Sequence, residues 1–532
     1  MIYTNPDTTA AWARLLSLAP AGTSFDFIRR LDAERVKTCS VPMAAGLSYN
    51  WAAKAADEPV LGALQALADE QNLIPKYRLL VEGEVMNTGE GRMVLHHLLR
   101  SPGGMSATGK PVLYRGKDLG AFYRNERDRF SAFAESVRKG EITGSTGKPF
   151  KNAVQIGIGG SDLGPRALAL ALDNWASARG LKKLTPWFIS NVDPDDASSA
   201  AASLSLEETL FILVSKSGVT QETLANELLI KDKLQRAGLD PSRHMAAVTS
   251  ETSPLAHNPA YLDSFYIDDF IGGRYSSCSA VGGVILSLAF GPGVFGEFLG
   301  GAHGADKLAL EGDIRSNAAL LDALLGVWER NFLGYPATAV LPYSQALARF
   351  PAHLQQLDME SNGKRVNRAG EDISYATGPL IFGEPGTNGQ HSFYQFLHQG
   401  TDIVPLQFAG FAESQRNDDV EVEGSSSQTK LKANLAAQIT AFAKGKEDGD
   451  RNKLFPGGRP SSLIHGTCLT PAALGSLLAH FENKVLFQGL VWNINSFDQE
   501  GVQLGKLLTK KVLAGGGSGD SALDAYGALL GV

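Results

Sequence analysis

The segment from residue 153 to residue 251 decides the fold, because short apolar runs alternate there with helix-like stretches. The runs are AVQIGIGG (153–160), TPWFISNVDP (185–194), TLFILVSKSG (209–218) and MAAVTSE (245–251). Each has four to six strand-forming residues and then a turn. A helix-like stretch such as QETLANELLIKDKLQRAG (221–238) follows the third run. This alternation predicts a parallel sheet with crossover helices.

A second set of runs predicts another α/β lobe. Its strand-like members are TAVLPYS (338–344), GPLIFGE (378–384) and VPLQFAG (404–410), with helical patterns such as NAALLDALLGVWERNF (317–332) around them. The chain has 532 residues, which is more than one domain usually holds. The fold class is therefore predicted to be α/β with two lobes.

The ends of the chain and two polar stretches have other patterns. About the first 115 residues are predicted to be mainly helical, from AAWARLLSL (10–18), FDFIRRL (25–31) and EPVLGALQALADEQN (58–72). Residues 414–430 and 444–462 are predicted surface loops because they are rich in polar residues. The C-terminal tail has a glycine hinge and a short amphipathic segment, which could lie against this chain or against a partner subunit.

Composition excludes several classes of protein. A net charge of -7 argues against a nucleic-acid partner. Cys39, Cys278 and Cys468 are far apart and lack metal-ligand spacing, which favours reduced thiols and no zinc site. Residues 275–296 carry no charge, but a Gly-Pro-Gly break and several serines favour a buried core helix over a membrane span. We find no signal peptide and expect no membrane partner.

A hydroxyl-rich loop follows the strand that ends at Val214. Within FILVSKSGVTQET (211–223) it places Ser215, Lys216, Ser217, Thr220 and Thr223 near the start of a helix. Hydroxyl groups, backbone N–H groups and a helix N-terminus together suit a phosphate monoester. A purely structural alternative is that the two threonines cap the helix.

Two further segments combine glycine with polar residues. GIGGSDLGP (157–165) only loosely matches a dinucleotide-binding motif, so we interpret Gly160 as allowing close backbone approach and Ser161 as a polar contact to a small substrate. An ordinary strand-to-helix turn is the alternative. In GGRYSSCSAVGG (272–283), Arg274 suits a phosphate or a developing oxyanion, and a structural ion pair suits it equally well.

The second half of the chain has candidate proton-transfer groups. Glu360 in LQQLDMESNGK (354–364) and His391 in GEPGTNGQHSFYQFLHQG (383–400) lie in turns rich in glycine and amides, where side chains often serve a site. Gln499 and Lys506 lie in WNINSFDQEGVQLGKLL (492–508). The alternative for Lys506 is an ordinary surface lysine.

Together these segments resemble the glucose-6-phosphate isomerase (phosphoglucose isomerase) family over residues 87–506, roughly four-fifths of the chain. Six motifs occur in the family's order: GIGGSDLGP, SKSGVTQET, GGRYSSCSAVG, MESNGK, GEPGTNGQHSFYQFLHQG and SFDQEGVQLGK. The resemblance implies two sugar-isomerase (SIS) lobes, each a parallel sheet flanked by helices. On this basis we predict an N-terminal helical segment (1–115) on the larger lobe, a smaller lobe (116–290), a larger lobe (291–510) and a tail (511–532).

The resemblance also implies roles for individual residues. Ser215, Lys216, Ser217 and Thr220 would hold the phosphate, with Thr223 nearby, and Gly160, Ser161, Gln356 and Gln499 would line the sugar site. Glu360 would move the proton from C2 to C1, Arg274 would stabilise the enediolate, and His391 with Lys506 would open the ring. Glu360 and Arg274 are suitable residue types for this reaction, because removing a proton beside a carbonyl group needs a carboxylate as base and a positive group at the carbonyl oxygen.

The implied activity is the cofactor-free and metal-free interconversion of glucose 6-phosphate and fructose 6-phosphate in cytoplasmic glycolysis and gluconeogenesis. The resemblance also implies a homodimer in which His391 reaches the neighbouring subunit's site. Gly218 and Val219 depart from the usual family pattern, so details of that loop are expected to differ. Three alternatives are an SIS-type isomerase of another sugar phosphate, a sugar-phosphate sensor and a nicotinamide dehydrogenase.

Overall fold

Two sheets organise the protein in a computed structural model that describes residues 3–19, 28, 31–515 and 517–532. Its strands are β1 (Ser40–Pro42), β2 (Ser48–Asn50), β3 (Val85–Asn87), β4 (Arg92–Met93), β5 (Leu113–Tyr114), β6 (Lys117–Asp118), β7 (Asn152–Ile156), β8 (Thr185–Ile189), β9 (Thr209–Val214), β10 (Met245–Thr249), β11 (Ser264–Tyr266), β12 (Ala337–Tyr343), β13 (Leu380–Phe382), β14 (Leu406–Phe411), β15 (Glu421–Val422), β16 (Ser425–Ser426) and β17 (Ser461–Gly466). The predicted α/β fold class with two lobes is confirmed.

Helices cover the faces of both sheets. They are α1 (Ala10–Leu18), α2 (Ala33–Thr38), α3 (Glu58–Glu70), α4 (Leu73–Val81), α5 (Leu119–Arg138), α6 (Leu163–Ala178), α7 (Pro194–Ser203), α8 (Gln221–Arg236), α9 (Ala280–Phe290), α10 (Pro292–Leu308), α11 (Ala318–Val327), α12 (Phe350–Leu354), α13 (Gly386–Gln390), α14 (Tyr394–Gln399), α15 (Ser427–Lys444), α16 (Pro471–Val491), α17 (Gln503–Ala514) and α18 (Ser521–Leu530). The long central helix α16 is buried along almost its whole length.

The smaller sheet is parallel throughout, with strand order β11-β10-β9-β7-β8. The four runs between residues 153 and 251 form β7 to β10, as predicted. All six residues of β9 are buried, which explains why this run is continuously apolar and does not alternate. The register pairs Ile156 of β7 with Leu213 of β9, so the loops after these two strands leave the sheet side by side.

The larger sheet has the order β1-β2-β17-β14-β12-β13. Its four strands from β17 to β13 are parallel, and the three predicted runs form β12, β13 and β14. At the other edge, β1 and β2 pair antiparallel. The expectation of a mainly helical N-terminal segment is therefore wrong for residues 40–50, because three-residue strands are too short to show a periodicity.

Two loop predictions are wrong at their ends. Residues 427–430 belong to α15, whose N-terminus is capped by the Ser426 hydroxyl accepting a hydrogen bond from the Thr429 N–H. Ser461 and Ser462 begin β17 and are buried. In both places serine acts as a helix cap or a strand residue, so polarity alone did not indicate a loop.

Other predictions concern the ends of the chain and the uncharged segment. Helices α1 and α3 are confirmed, whereas FDFIRRL lies mostly outside the described residues. Helix α9 is buried at every residue and ends at Gly291, whose φ of 99° favours glycine. Within the described ranges, no helix is both long and apolar enough to cross a membrane. The proposed domain boundaries stay a prediction.

The last two helices of the chain, α17 and α18, are exposed along almost their whole length. Helix α17 has no buried residue, and α18 buries only Gly527. Apolar side chains such as Leu504, Leu507, Leu529 and Leu530 are more than half exposed. Nothing in the described part of this chain covers them.

Candidate active site

The candidate site lies where the strand order of the smaller sheet changes direction. Strands β7 and β9 are neighbours, and the chain leaves β7 towards β8 on one side of the sheet and leaves β9 towards β10 on the other. In open parallel sheets, ligands bind outside the carboxyl ends of the strands at such a point. The two glycine- and serine-rich loops predicted to bind substrate are the loops that follow β7 and β9.

The loop after β9 folds around the Ser215 hydroxyl. Ser215 Oγ accepts the Gly218 N–H at 3.1 Å and donates to Thr220 Oγ1 at 3.2 Å. Gly218 has a φ of 69°, a conformation that favours glycine. Thr220 is the N-cap of α8 by position, yet its side chain makes no capping hydrogen bond. The capping alternative is therefore not realised at Thr220, and the first N–H groups of α8 remain available to an anion.

The other predicted phosphate residues differ in exposure. Ser217 is exposed and its hydroxyl accepts the Val219 N–H at 3.3 Å. Lys216 donates to the Ile271 carbonyl at 3.2 Å and lies 3.9 Å from the Asp269 carboxylate. Burial lowers the pKa of Lys216, and Asp269 opposes that shift. Thr223 is 2% exposed, so it is a packing residue beneath the loop and not one of its open hydroxyls.

The loop after β7 contacts the segment that carries Arg274. A Cβ added at Gly160 would overlap the carbonyl group of Gly273. The Ser276 hydroxyl donates to the Gly273 carbonyl at 2.6 Å and ties this segment back on itself. We expected the glycine to allow close approach to a substrate, and the close neighbour seen is protein backbone. Ser161, beside Gly160, is partly exposed.

Arg274 and Glu360 form the centre of the site. Arg274 Nη1 donates to Glu360 Oε1 at 2.8 Å, and its Nε donates to Ser361 Oγ at 2.7 Å. Its Nη2 donates to the carbonyls of Ser496 and Asp498 at 2.7 and 2.9 Å. These bonds occupy four of the five guanidinium N–H groups. Arg274 therefore forms the structural ion pair, with one Nη1 hydrogen left over, and its action on a phosphate or an oxyanion stays a prediction.

A π-helical turn (Gln355–Glu360) continues α12 and presents the candidate base. Such a turn has more residues than an α-turn, so Gln356 and Glu360 lie on the same side. A Cβ at Gly159 would lie 3.4 Å from Gln356 Nε2, which places this amide beside the loop after β7. The side chain of Arg274 is 2% exposed and that of Glu360 is 23% exposed. The Glu360 carboxylate is therefore accessible to a small molecule, while the Arg274 guanidinium is buried and fixed by its hydrogen bonds to Ser361, Ser496 and Asp498.

Sequence reasoning missed the residues that support this pair. Lys364 Nζ lies 2.5 Å from Asp498 Oδ1 and joins the motif that follows Glu360 to the segment before Gln499. Ser361 and the carbonyls of Ser496 and Asp498 hold Arg274. All of them lie inside or next to motifs that we quoted for other residues. Opposite charges in MESNGK and SFDQEG were the signal that could have revealed the Lys364–Asp498 pair.

Within the described part of the chain, three predicted residues form no hydrogen bond or ion pair with Arg274 or Glu360. His391 follows α13, Lys506 lies on α17, and Gln499 directly follows Asp498; all three are exposed. Among the described residues, no hydrogen bond or ion pair joins His391 or Lys506 to Glu360. One chain therefore brings together the candidate base, the arginine and the phosphate loop, but not the candidate ring-opening pair.

This arrangement suits proton transfer beside a carbonyl group. A partly exposed carboxylate can take the proton, and a guanidinium N–H beside it can stabilise the charge on oxygen. A hydroxyl-rich loop and a helix N-terminus in the same crevice can hold an anionic group of the same molecule. Over the described ranges, no group of three or more His, Cys, Asp or Glu side chains is placed to hold a metal ion.

Comparisons with known proteins agree with this chemistry. The family model described as phosphoglucose isomerase matches residues 50–524. The glucose-6-phosphate isomerase of Treponema pallidum is 60% identical over 516 residues, covering 97% of this chain and 96% of that protein. The Treponema denticola enzyme of the same name is 62% identical over 481 residues, covering 90% of each. A crystal structure of a glucose-6-phosphate isomerase from Chlamydia trachomatis has a TM-score of 0.88 at 42% identity, covering 96% of each chain.

Proposed function

The chain belongs to the phosphoglucose isomerase family, and on that premise we propose that Glu360 and Arg274 carry the proton transfer of its reaction. That reaction is the interconversion of glucose 6-phosphate and fructose 6-phosphate. The observation that carries the assignment of roles is the 2.8 Å contact between a partly exposed carboxylate and a buried guanidinium beside an anion-binding loop.

The Ser215–Thr220 loop holds the phosphate, and Ser215, Ser217, Thr220 and Lys216 supply its donors. A phosphate bound at one end of the sugar chain places C1 and C2 without taking part in the bond changes, so binding energy is used for orientation. Gly160, Ser161, Gln356 and Gln499 line the sugar between the phosphate and the base. Thr223 supports the loop from beneath.

Glu360 removes the C2 proton of the open-chain aldose and returns it to C1, while the C2 hydroxyl proton passes to the C1 oxygen so that the ketose carbonyl forms at C2. Charge moves onto the C1 oxygen as the enediolate forms, and the remaining Nη1 hydrogen of Arg274 stabilises it. In the resting site the same arginine donates to Glu360 and keeps it in place. The reverse reaction uses the same groups in the opposite order.

Ring opening precedes proton transfer and needs one group to take the C1 hydroxyl proton and another to protonate the ring oxygen. His391 and Lys506 are the proposed pair, because an imidazole and an ammonium group can share these two roles. What supports a partner subunit is that His391 is exposed and, among the described residues, has no hydrogen bond or ion pair with Glu360. We infer a homodimer in which His391 completes the site of the other subunit.

The reaction is tested with purified protein, fructose 6-phosphate and EDTA, following the formation of glucose 6-phosphate. We expect turnover that EDTA does not abolish. Mannose 6-phosphate, glucosamine 6-phosphate and NAD with a sugar phosphate are the comparison substrates, and each is expected to react far more slowly. Faster turnover of one of these would replace the proposed substrate, and binding without turnover would indicate a sugar-phosphate sensor.

The shared site is tested by mixing two inactive variants, Glu360→Gln and His391→Ala. Half of the dimers formed from equal amounts are mixed, and each has one site with both native residues. If His391 acts across the interface, the mixture recovers about one quarter of wild-type activity by random pairing. If His391 acts within its own chain, the mixture shows only the sum of the separate variants. Each variant paired with itself is the control.

The cellular setting follows from the substrate pair. Glucose 6-phosphate and fructose 6-phosphate are consecutive intermediates of glycolysis and gluconeogenesis, and we place the protein in the cytoplasm, where these pathways run. The reduced state of Cys39, Cys278 and Cys468 supports that placement.

A further inference from the structure

Asp358 lies in the same π-helical turn as the candidate base but faces the other way. Gln356 and Glu360 are four residues apart in a turn of more than four residues, so Asp358 between them lies on the opposite side. Its exposure is 5%, and its Oδ1 is buried with no hydrogen-bond partner among the described residues. A buried carboxylate anion without a partner is costly, so this carboxyl needs either a cation or a proton.

The cation facing Asp358 from α16 already has a carboxylate of its own. Lys484 Nζ lies 3.2 Å from Asp322 Oδ2 and donates to Gln407 Oε1 at 3.1 Å. Burial opposes the charged form of Asp322, but Lys484 and His480 hold the pKa of its carboxyl well below the ordinary value. His480 Nε2 lies 3.1 Å from the same oxygen. Asp322 is therefore the anion that Lys484 neutralises.

The other charged groups around the turn also have partners other than Asp358. Lys54 forms a buried pair with Glu329, with Nζ 2.8 Å from the nearer carboxylate oxygen. Arg274 donates to Glu360, and the neighbouring Tyr275 is a buried phenol. On α12, burial lowers the pKa of His353 to about 4, which leaves its ring neutral. Strand β13, which also packs on the turn, has only apolar residues.

We propose that Asp358 is a positioning residue that acts as a protonated, neutral acid behind Glu360. Three carboxyl groups lie in this buried region: Lys54 contacts Glu329, and both Lys484 and His480 contact Asp322, so that these groups are directed at the other two carboxyls. Asp358, the third carboxyl group, therefore keeps its proton. Burial raises the pKa of Asp358 to about 7, with Lys484 opposing and Asp322 adding to the shift, in agreement with this charge count.

Asp358 needs to be neutral because Glu360 lies on the other side of the same turn. An anion at Asp358 would repel Glu360 within the same turn and would compete with it for the positive charge of Arg274. It would also lack a partner in the core, so the turn would have to shift to expose it. Either change moves the base away from C1 and C2, and small displacements of a catalytic group lower rates strongly. This role rests on the proposed function of Glu360.

Asp358→Asn tests the inference, because an amide resembles a protonated carboxyl in size and lacks its charge. We expect kcat near pH 6 to stay within about threefold of wild type. Wild-type kcat should fall as the pH rises past Asp358 ionisation, within about one unit of pH 7, and the variant should lack that fall. Superimposable pH profiles, a loss of more than about tenfold near pH 6, or an unfolded variant would each overturn the proposal.

Infrared difference spectra provide a readout that does not depend on turnover. The spectrum of wild type minus Asp358→Asn should contain the C=O stretch of a protonated carboxyl below pH 7 and lose it above that pH. A carboxylate band throughout would overturn the proposal. If the wild type proved inactive with fructose 6-phosphate, the proposed function would fail while this spectrum still reported the protonation of Asp358.

Denaturation reports the protonation of Asp358 through stability and allows a matched control. Because the pKa of Asp358 is raised by folding, the stability it contributes is present below about pH 4, the ordinary value of aspartate, and is lost as pH rises to about 7. The denaturation midpoint of Asp358→Asn relative to wild type should therefore increase over that range. Asp322→Asn is the control, because removing an anion leaves Lys484 unpaired and should lower the midpoint at neutral pH. If the denaturation midpoints of Asp358→Asn and Asp322→Asn changed with pH in the same way, the protonated state of Asp358 would be contradicted.

Discussion

Replacing Glu360 by glutamine is expected to lower kcat for fructose 6-phosphate by about 10²–10⁴-fold, because the amide cannot accept the C1 proton of the ketose. The amide oxygen can still accept the hydrogen bond from Arg274 Nη1, so folding and KM should change little. Exchange of the C1 proton of fructose 6-phosphate with solvent deuterium should fall by the same factor as turnover.

The control for this variant is Glu297→Gln, the same chemical change at an exposed glutamate of α10. It should leave kcat and KM at wild-type values. If Glu360→Gln retained proton exchange, the family assignment would stand, and the base would be another group in the crevice. If exchange survived while net turnover was lost, Glu360 would serve a different step from the one proposed.

Replacing Arg274 by lysine is expected to lower kcat by about 10²–10³-fold, the usual effect of removing one oxyanion donor. Lysine keeps the charge but cannot reproduce the planar fork that reaches Glu360, Ser361 and two backbone carbonyls together. Each buried carbonyl left without a donor costs about 1–3 kcal/mol, so the denaturation midpoint should also fall. Steady-state kinetics and denaturant titration measure the two effects separately.

Arg129→Lys is the matched control for Arg274→Lys. Arg129 also donates to carboxylates, those of Glu126 and Asp263, and to the Ser264 carbonyl, but it lies on α5 away from the candidate site. Its replacement should lower stability without a comparable loss of kcat. If Arg274→Lys lost stability but kept its turnover, the arginine would be structural only, which is one of the two interpretations that its sequence context supports.

Strands β7 to β10 and β12 to β14 could be predicted from their apolar runs, whereas β11 and β17 were not predicted. A strand such as β9 must be apolar at every position, and this signal is local. The pairing of β1 and β2 with β17 could not be predicted, since three-residue strands are fixed by their partners and not by a pattern. The same applies to Ser461 and Ser462, which are polar residues buried by the sheet around them.

The family and the chemical types of the site residues follow from local sequence, because each motif is a continuous segment whose residues are read together. Glu360, Arg274 and the Ser215–Thr220 loop were all identified in this way. The tertiary structure alone decided that Arg274 contacts Glu360, 86 residues away, and that Lys364 holds Asp498. It also decided that Asp358 lacks a cation. Contacts and burial of this kind depend on how distant segments pack, and they set charge states that no local pattern encodes.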